Sequence, residues 1–175
     1  MSSSRSNLHA VEANIPAAAS FLDAERVTLA AAFSHLVRCE TRLYNGLNEA
    51  LRQAHGIVAS QFEFLSYLRD HPGSRVADLA EFYAVGVGAT SKGVSRLETR
   101  GWVRRVANPA DGRSLLLELT PLGTQLTDLA ETTFQQYLLK RIGQTLEPDQ
   151  LEAVCRALAQ LRAALERDGI GIPVG

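Results

Sequence analysis

GVGATSKGVSRLETRGWVRRVANPADGRSLLLELTPLG, residues Gly86–Gly123, carries three signals in order. From Ala89 to Arg100, Val94 and Leu97 fall on one side and Lys92, Ser95 and Arg96 on the other, as in an amphipathic helix. Gly101 stops that helix, because glycine enters the left-handed backbone region without steric penalty. Trp102, Val103 and Val106 then begin one strand, and Leu115, Leu116, Leu117 and Leu119 make a second. Asn108-Pro109-Ala110-Asp111-Gly112 lies between them, and its Pro and Asp-Gly are strong turn formers. Thr120-Pro121 closes the stretch as a hydroxyl cap followed by proline at the first helical position.

A helix followed at once by a basic hairpin is the pattern of a winged helix-turn-helix. Such a helix fits the major groove of duplex DNA, and the hairpin tip reaches the neighbouring backbone or minor groove. From Ala89 to Arg113 six cations face two acids, a local +4 in a chain of formal net charge -1. That local excess is what a phosphate-binding surface requires. The candidate DNA contacts are Ala89, Ser91, Lys92, Ser95 and Arg96 on the helix and Arg104, Arg105 and Arg113 on the hairpin. Lys and Arg pair with guanine, Ser with phosphate or base, and Arg104 and Arg105 are assigned to phosphates.

Leu97-Glu98-x-Arg100-Gly101-Trp102-Val103, Asp111-Gly112-Arg113-Ser114 and Leu119-Thr120-Pro121-x-Gly123 resemble the MarR family of bacterial transcription regulators. The resemblance covers the helix order from about Ala30 to Leu165 and is most specific between Asp78 and Gly123. It implies a dimeric repressor whose hold on DNA is relieved by a small molecule or an oxidant. It also implies that Arg113 enters the minor groove while Asp111 holds it. A small aromatic or anionic effector is expected between the first two helices and the winged unit. By position its candidate ligands are His35, Arg38, Arg42, Tyr44 and Tyr67, the first three on one side of a helix and placed to hold a carboxylate. Two features depart from the family. Gly86 and Val87 stand where it usually has a Ser or Thr cap and Pro. Gly88 and Gly93 each cost a helix roughly 0.5–1 kcal/mol relative to Ala, so this helix is expected to be soft.

The 175 residues are 46% hydrophobic, enough to bury a real core. The expected fold is mainly α with a small β-hairpin wing (α+β): residues 59–120 the winged unit, 21–58 and 121–168 a helical dimerisation region, 1–20 an arm and 169–175 a tail. The first long helix is read from Asp23 to His55, with an apolar stripe of Leu29, Phe33, Leu36, Leu43, Leu47, Leu51 and Ala54. Ser60 and Glu63 form a capping box at the start of the second. Pro121 to about Gly143 is a helix with Leu122, Leu126, Leu129 and Tyr137 on one face. In the last helix Leu151, Val154, Leu158, Leu161 and Leu165 alternate three and four apart, the seam of a coiled-coil-like dimer contact.

The N-terminus lacks the apolar core of a secretory signal, no apolar run approaches ~18 residues, and two cysteines make no disulfide framework, so a cytoplasmic setting is expected. Cys39 shares the apolar face of the first helix, which predicts a buried thiol starved of thiolate. A peroxide-sensing Cys39, as some relatives of the family possess, is the alternative. His35 and Cys39 have metal-ligand spacing, but no second pair accompanies them, and neither metal nor cofactor is expected. No catalytic motif is present, so an enzyme is not expected. A winged-helix protein-interaction module is the rival from another class.

Overall fold

A computed structural model describes residues 28–171. The arm, the start of the first helix at Asp23 and residues 172–175 lie outside them. The order is α1 (Leu29–His55), α2 (Ala59–Asp70), α3 (Val76–Phe82), α4 (Val87–Thr99), β1 (Val103–Ala107), β2 (Leu115–Leu119), α5 (Pro121–Leu138), a π-helical turn (Leu139–Gly143) and α6 (Pro148–Arg167). The expected α+β architecture is borne out. The described residues divide into two units between Arg42 and Leu43.

Within the second unit, two buried clusters hold the elements together. The first joins Leu65 and Leu68 of α2, Leu79 of α3, Val94 and Leu97 of α4, Val103 of β1 and Leu117 of β2. The second joins Leu47 and Leu51 of α1, Ile57, Ala59 and Phe62, and Ala130 of α5. Trp102 and Leu126 pack against both. Burial of each large side chain contributes roughly 1.5–3 kcal/mol. Since Ala59 and Phe62 pack with Leu47, Leu51 and Ala130, the boundary drawn at residues 58/59 is not a gap in packing.

The winged part is built by local rules. His71, Ser74 and Leu117 link its two ends: Ser74 Oγ donates to the His71 carbonyl at 2.8 Å, and Leu117 N–H donates to the Ser74 carbonyl at 2.8 Å. β1 and β2 pair antiparallel with Val103 opposite Leu119 and Arg105 opposite Leu117. At the tip, Asn108 Nδ2 donates to Ser114 Oγ (2.8 Å) and Ala110 N–H donates to Asn108 Oδ1 (3.0 Å), so the turn is closed by its own side chains. Thr120 caps α5, its Oγ1 accepting from Gly123 N–H at 3.0 Å and donating to the Gly101 carbonyl at 2.6 Å.

α3 is capped in its first turn by Asp78, whose carboxylate accepts from the Arg75 guanidinium and from Arg75 N–H, both at 2.7 Å. These bonds, the guanidinium's first, hold the Asp78 carboxyl below the usual carboxylate range. A depressed folded pKa stabilises the fold above the unfolded value and loses that contribution as pH falls through the folded one. Asp78→Asn is therefore expected to cost about 1 kcal/mol at neutral pH. Urea titrations should show the gap from the native protein closing below about pH 4.

Four expectations need correction. The box at α2 uses Gln61, not Glu63: the N-cap is Val58, two residues before the expected Ser60, and Gln61 Oε1 accepts from Val58 N–H at 3.0 Å. The buried face of α5 is Gly123, Thr127 and Ala130, while Leu122 and Leu129 are exposed. Small residues let α5 lie close against Trp102, which turns the larger leucines outward. On α1 only Leu47 and Leu51 of the stripe are buried, and Leu29, Phe33 and Leu36 are exposed. Cys39 is exposed too, where the apolar stripe predicted a buried side chain.

Candidate nucleic-acid interface

α3, a short turn and α4 form the helix-turn-helix. In the turn Ala84 takes φ +51°, a left-handed conformation uncommon outside glycine, and Val85 N–H donates to the Ala80 carbonyl at 2.9 Å. α4 buries Thr90, Val94 and Leu97, spaced four and three apart. Lys92, Ser95 and Arg96 are consequently exposed, with Ala89 exposed and Ser91 half-buried beside them. No side chain caps the start of α4. At Gly93 a Cβ would stand 2.8 Å from Phe64 Cε2, so the glycine admits the ring. At Gly88 nothing lies within 4 Å.

The hairpin arginines differ in availability. Arg104 is exposed and pairs across the hairpin with Glu118, Nη2 to Oε2 at 2.7 Å. Arg105 turns inward: Nη2 donates to Ser95 Oγ at 3.2 Å, and Nε lies 3.3 Å from Glu98 Oε2. Arg113 is exposed at the tip. Asp111 meets it through the backbone, Oδ1 accepting from Arg113 N–H at 3.1 Å. The side-chain pairing implied by the resemblance is absent among the described residues, where Asp111 orders the turn instead.

A cavity of about 440 Å³ lies behind α4, lined from α1 by Tyr44, from α2 by Gln61, Glu63 and Phe64, and by Tyr83, Val85, Thr90 and Leu97. Ala89, Gly93 and Arg96 of α4 border it as well. Tyr44 OH donates to Glu63 Oε2 and Tyr83 OH to the Glu63 carbonyl, both at 2.9 Å. Burial pushes the Tyr83 hydroxyl up to about 12, so it remains a neutral donor. Of the expected effector residues, Tyr44 lines this cavity. Tyr67 instead stacks on His71 at 4.3 Å between ring centres, and His35, Arg38 and Arg42 are exposed on the N-terminal half of α1. The sequence marks Glu63 only as a capping residue and does not mark Phe64 or Tyr83, because nothing local distinguishes residues that meet only through tertiary packing.

The seam residues Val154, Leu158, Leu161 and Leu165 of α6 are 43%, 43%, 47% and 42% exposed, and Leu151 is half-buried. Among the described residues no three or more His, Cys, Asp or Glu side chains gather where they could hold a metal. Nor, among these residues, is any helix long and apolar enough to cross a membrane.

A helix-turn-helix with its hairpin packed on the second helix defines a winged-helix protein. A sequence profile of the MarR family matches residues 55–114. The multiple antibiotic resistance protein MarR of Escherichia coli (strain K12) is 30% identical over 105 residues, 60% of this chain and 72% of that protein. Its counterpart in Salmonella typhimurium is 30% identical over 95 residues, 54% of this chain and 66% of the relative. Among solved structures, wild-type apo MarR from E. coli superposes with a TM-score of 0.64 at 27% identity, covering 78% of this chain and 98% of that one. Sco3205 from Streptomyces coelicolor, a MarR family transcriptional regulator solved in complex with DNA, gives 0.76 at 22% identity, covering 86% and 98%. The chain belongs to the MarR family.

Proposed function

We propose that this protein is a transcription regulator that binds duplex DNA as a homodimer and acts as a repressor. The observation that carries the reading is the exposed cationic face of α4 beside a cationic hairpin in a chain of net charge -1. Ala89, Ser91, Lys92, Ser95 and Arg96 enter the major groove, and Arg113 reaches the minor groove at the hairpin tip. Arg104 exchanges Glu118 for a phosphate at small cost, since exposed ion pairs contribute only about 0–1 kcal/mol. The dimer forms through the α6 seam, whose exposed apolar stripe is unusual for a free surface. It sets two copies of α4 about one DNA turn apart, ~34 Å, on a pseudo-palindromic site. A protein reading chromosomal DNA works in the cytoplasm.

A small-molecule effector is proposed for the cavity behind α4, whose volume suits such a ligand. Ligand there would bias the position of α4 by its differential affinity for two arrangements of the dimer. Selection of a bound duplex from random DNA tests the whole reading. A two-fold symmetric site with half-sites one turn apart is expected, and an asymmetric or unselected pool would overturn the dimeric reader.

Arg113→Ala is expected to weaken binding to that site by about 1–3 kcal/mol, with thermal unfolding unchanged. Titration of labelled duplex at ~150 mM salt provides the check, and wild-type affinity would remove the wing tip from the interface.

A further inference from the structure

We infer that Arg105 is a positioning residue, a strut fixing the wing to the recognition helix, and not a phosphate contact. The inference rests on the DNA-binding reading above. On β1, Val103 is buried and Arg104 exposed, so strand alternation turns Arg105 to the inner side with Val103. Its side chain is 25% exposed against 63% for Arg104. Nη2 donates to Ser95 Oγ, and Nε is sealed from solvent, 3.3 Å from Glu98 Oε2 but without the alignment of a hydrogen bond. Ser95 and Glu98 stand one turn apart on α4, so one planar guanidinium spans helix and hairpin.

A protein that reads two grooves must present helix and wing at a fixed angle. A wing free to swing has to be ordered on binding, and that ordering subtracts from affinity. Arg105 supplies the order beforehand. The same geometry gives Glu98 a role opposite to its charge. An acid beside phosphates should weaken binding, yet as the strut's anchor it strengthens it.

Three variants separate the strut from a phosphate contact. Arg105→Lys keeps the charge and loses the fork. Glu98→Gln removes an anion and loses the anchor. Arg105→Ala removes everything. Binding to the selected duplex is measured from low to high salt for each, with thermal unfolding and with binding to an unselected duplex. The strut predicts that Arg105→Lys and Glu98→Gln each lose about tenfold in specific affinity. It also predicts an unchanged salt slope for all three and little loss on unselected duplex, a pattern that simple destabilisation does not give. The proposal is overturned if Arg105→Lys binds as the native protein does, or if Arg105→Ala lowers the slope by about one. Tighter binding by Glu98→Gln overturns it equally, and that variant decides the matter should Arg105→Ala fail to fold. Native protein that binds no duplex in a salt-dependent way would bring down the DNA-binding reading itself, which is a different result from any of these.

Discussion

Leu158→Asp combined with Leu161→Asp is expected to give a folded monomer that binds its operator at least about a thousandfold more weakly. Both side chains lie on the apolar stripe of α6 and are 43% and 47% exposed, so neither belongs to the core of the single chain. A carboxylate at each position therefore costs the isolated fold little. In a two-fold dimer every substitution appears twice, across the axis from its own copy, and symmetry denies the added charges a counterion. Taking such charges out of water is far more costly than the contact they replace is favourable. The affinity loss follows from valency, because a single recognition helix forfeits the second half-site and the effective concentration that linkage provides. Sedimentation equilibrium and duplex titration on the same sample check both parts. A variant that stays dimeric moves the interface off α6.

Gly123→Ala is expected to destabilise the fold by about 3 kcal/mol, a large effect for one methyl group. A Cβ at this position would overlap the carbonyl oxygen of Trp102 and come within 2.9 Å of its carbonyl carbon. That peptide cannot retreat easily. Trp102 O accepts from Thr120 N–H at 3.0 Å, and Thr120 Oγ1 holds the Gly101 carbonyl. Trp102 packs against both buried clusters, so displacing it disturbs both. Gly88→Ala is the control: nothing lies within 4 Å of its Cβ position, and the change should stabilise α4 by about 0.5–1 kcal/mol. Chemical denaturation of the two variants measures the contrast. Equal effects would mean that helix propensity alone governs both sites.

That contrast marks where the sequence stops being legible. The hairpin was readable because its signals are local: Asn108 to Gly112 make the turn, and Gly101 and Thr120-Pro121 bracket the strands. The buried side of α4 was readable because Val94 and Leu97 repeat at helical spacing. On α5 the same logic selected Leu122 and Leu129, while the structure buries Gly123, Thr127 and Ala130. Residue size misled there, since close approach of two backbones favours small side chains over apolar ones. The inward turn of Arg105 was implicit in its odd-even relation to buried Val103, but a run of two arginines suggested one shared role. The cavity joins Tyr44 to Leu97 across three helices and the turn before α4, and no spacing along the chain announces it.

Tyr137 OH donates to the Leu43 carbonyl at 2.9 Å, from a position 94 residues later in the chain, and Gly46 makes room for its ring. During synthesis the second half of α1 thus emerges long before the helix that covers it. At ribosomal rates of 5–20 residues/s that interval is roughly 5–20 s. The cluster of α2, α3, α4 and the hairpin can close first, since its buried residues run only from Leu65 to Leu117. A winged unit closed at that stage would leave Leu47 and Leu51 still awaiting Ala130, which would make the late arrival of α5 the step at which a chaperone has something to protect.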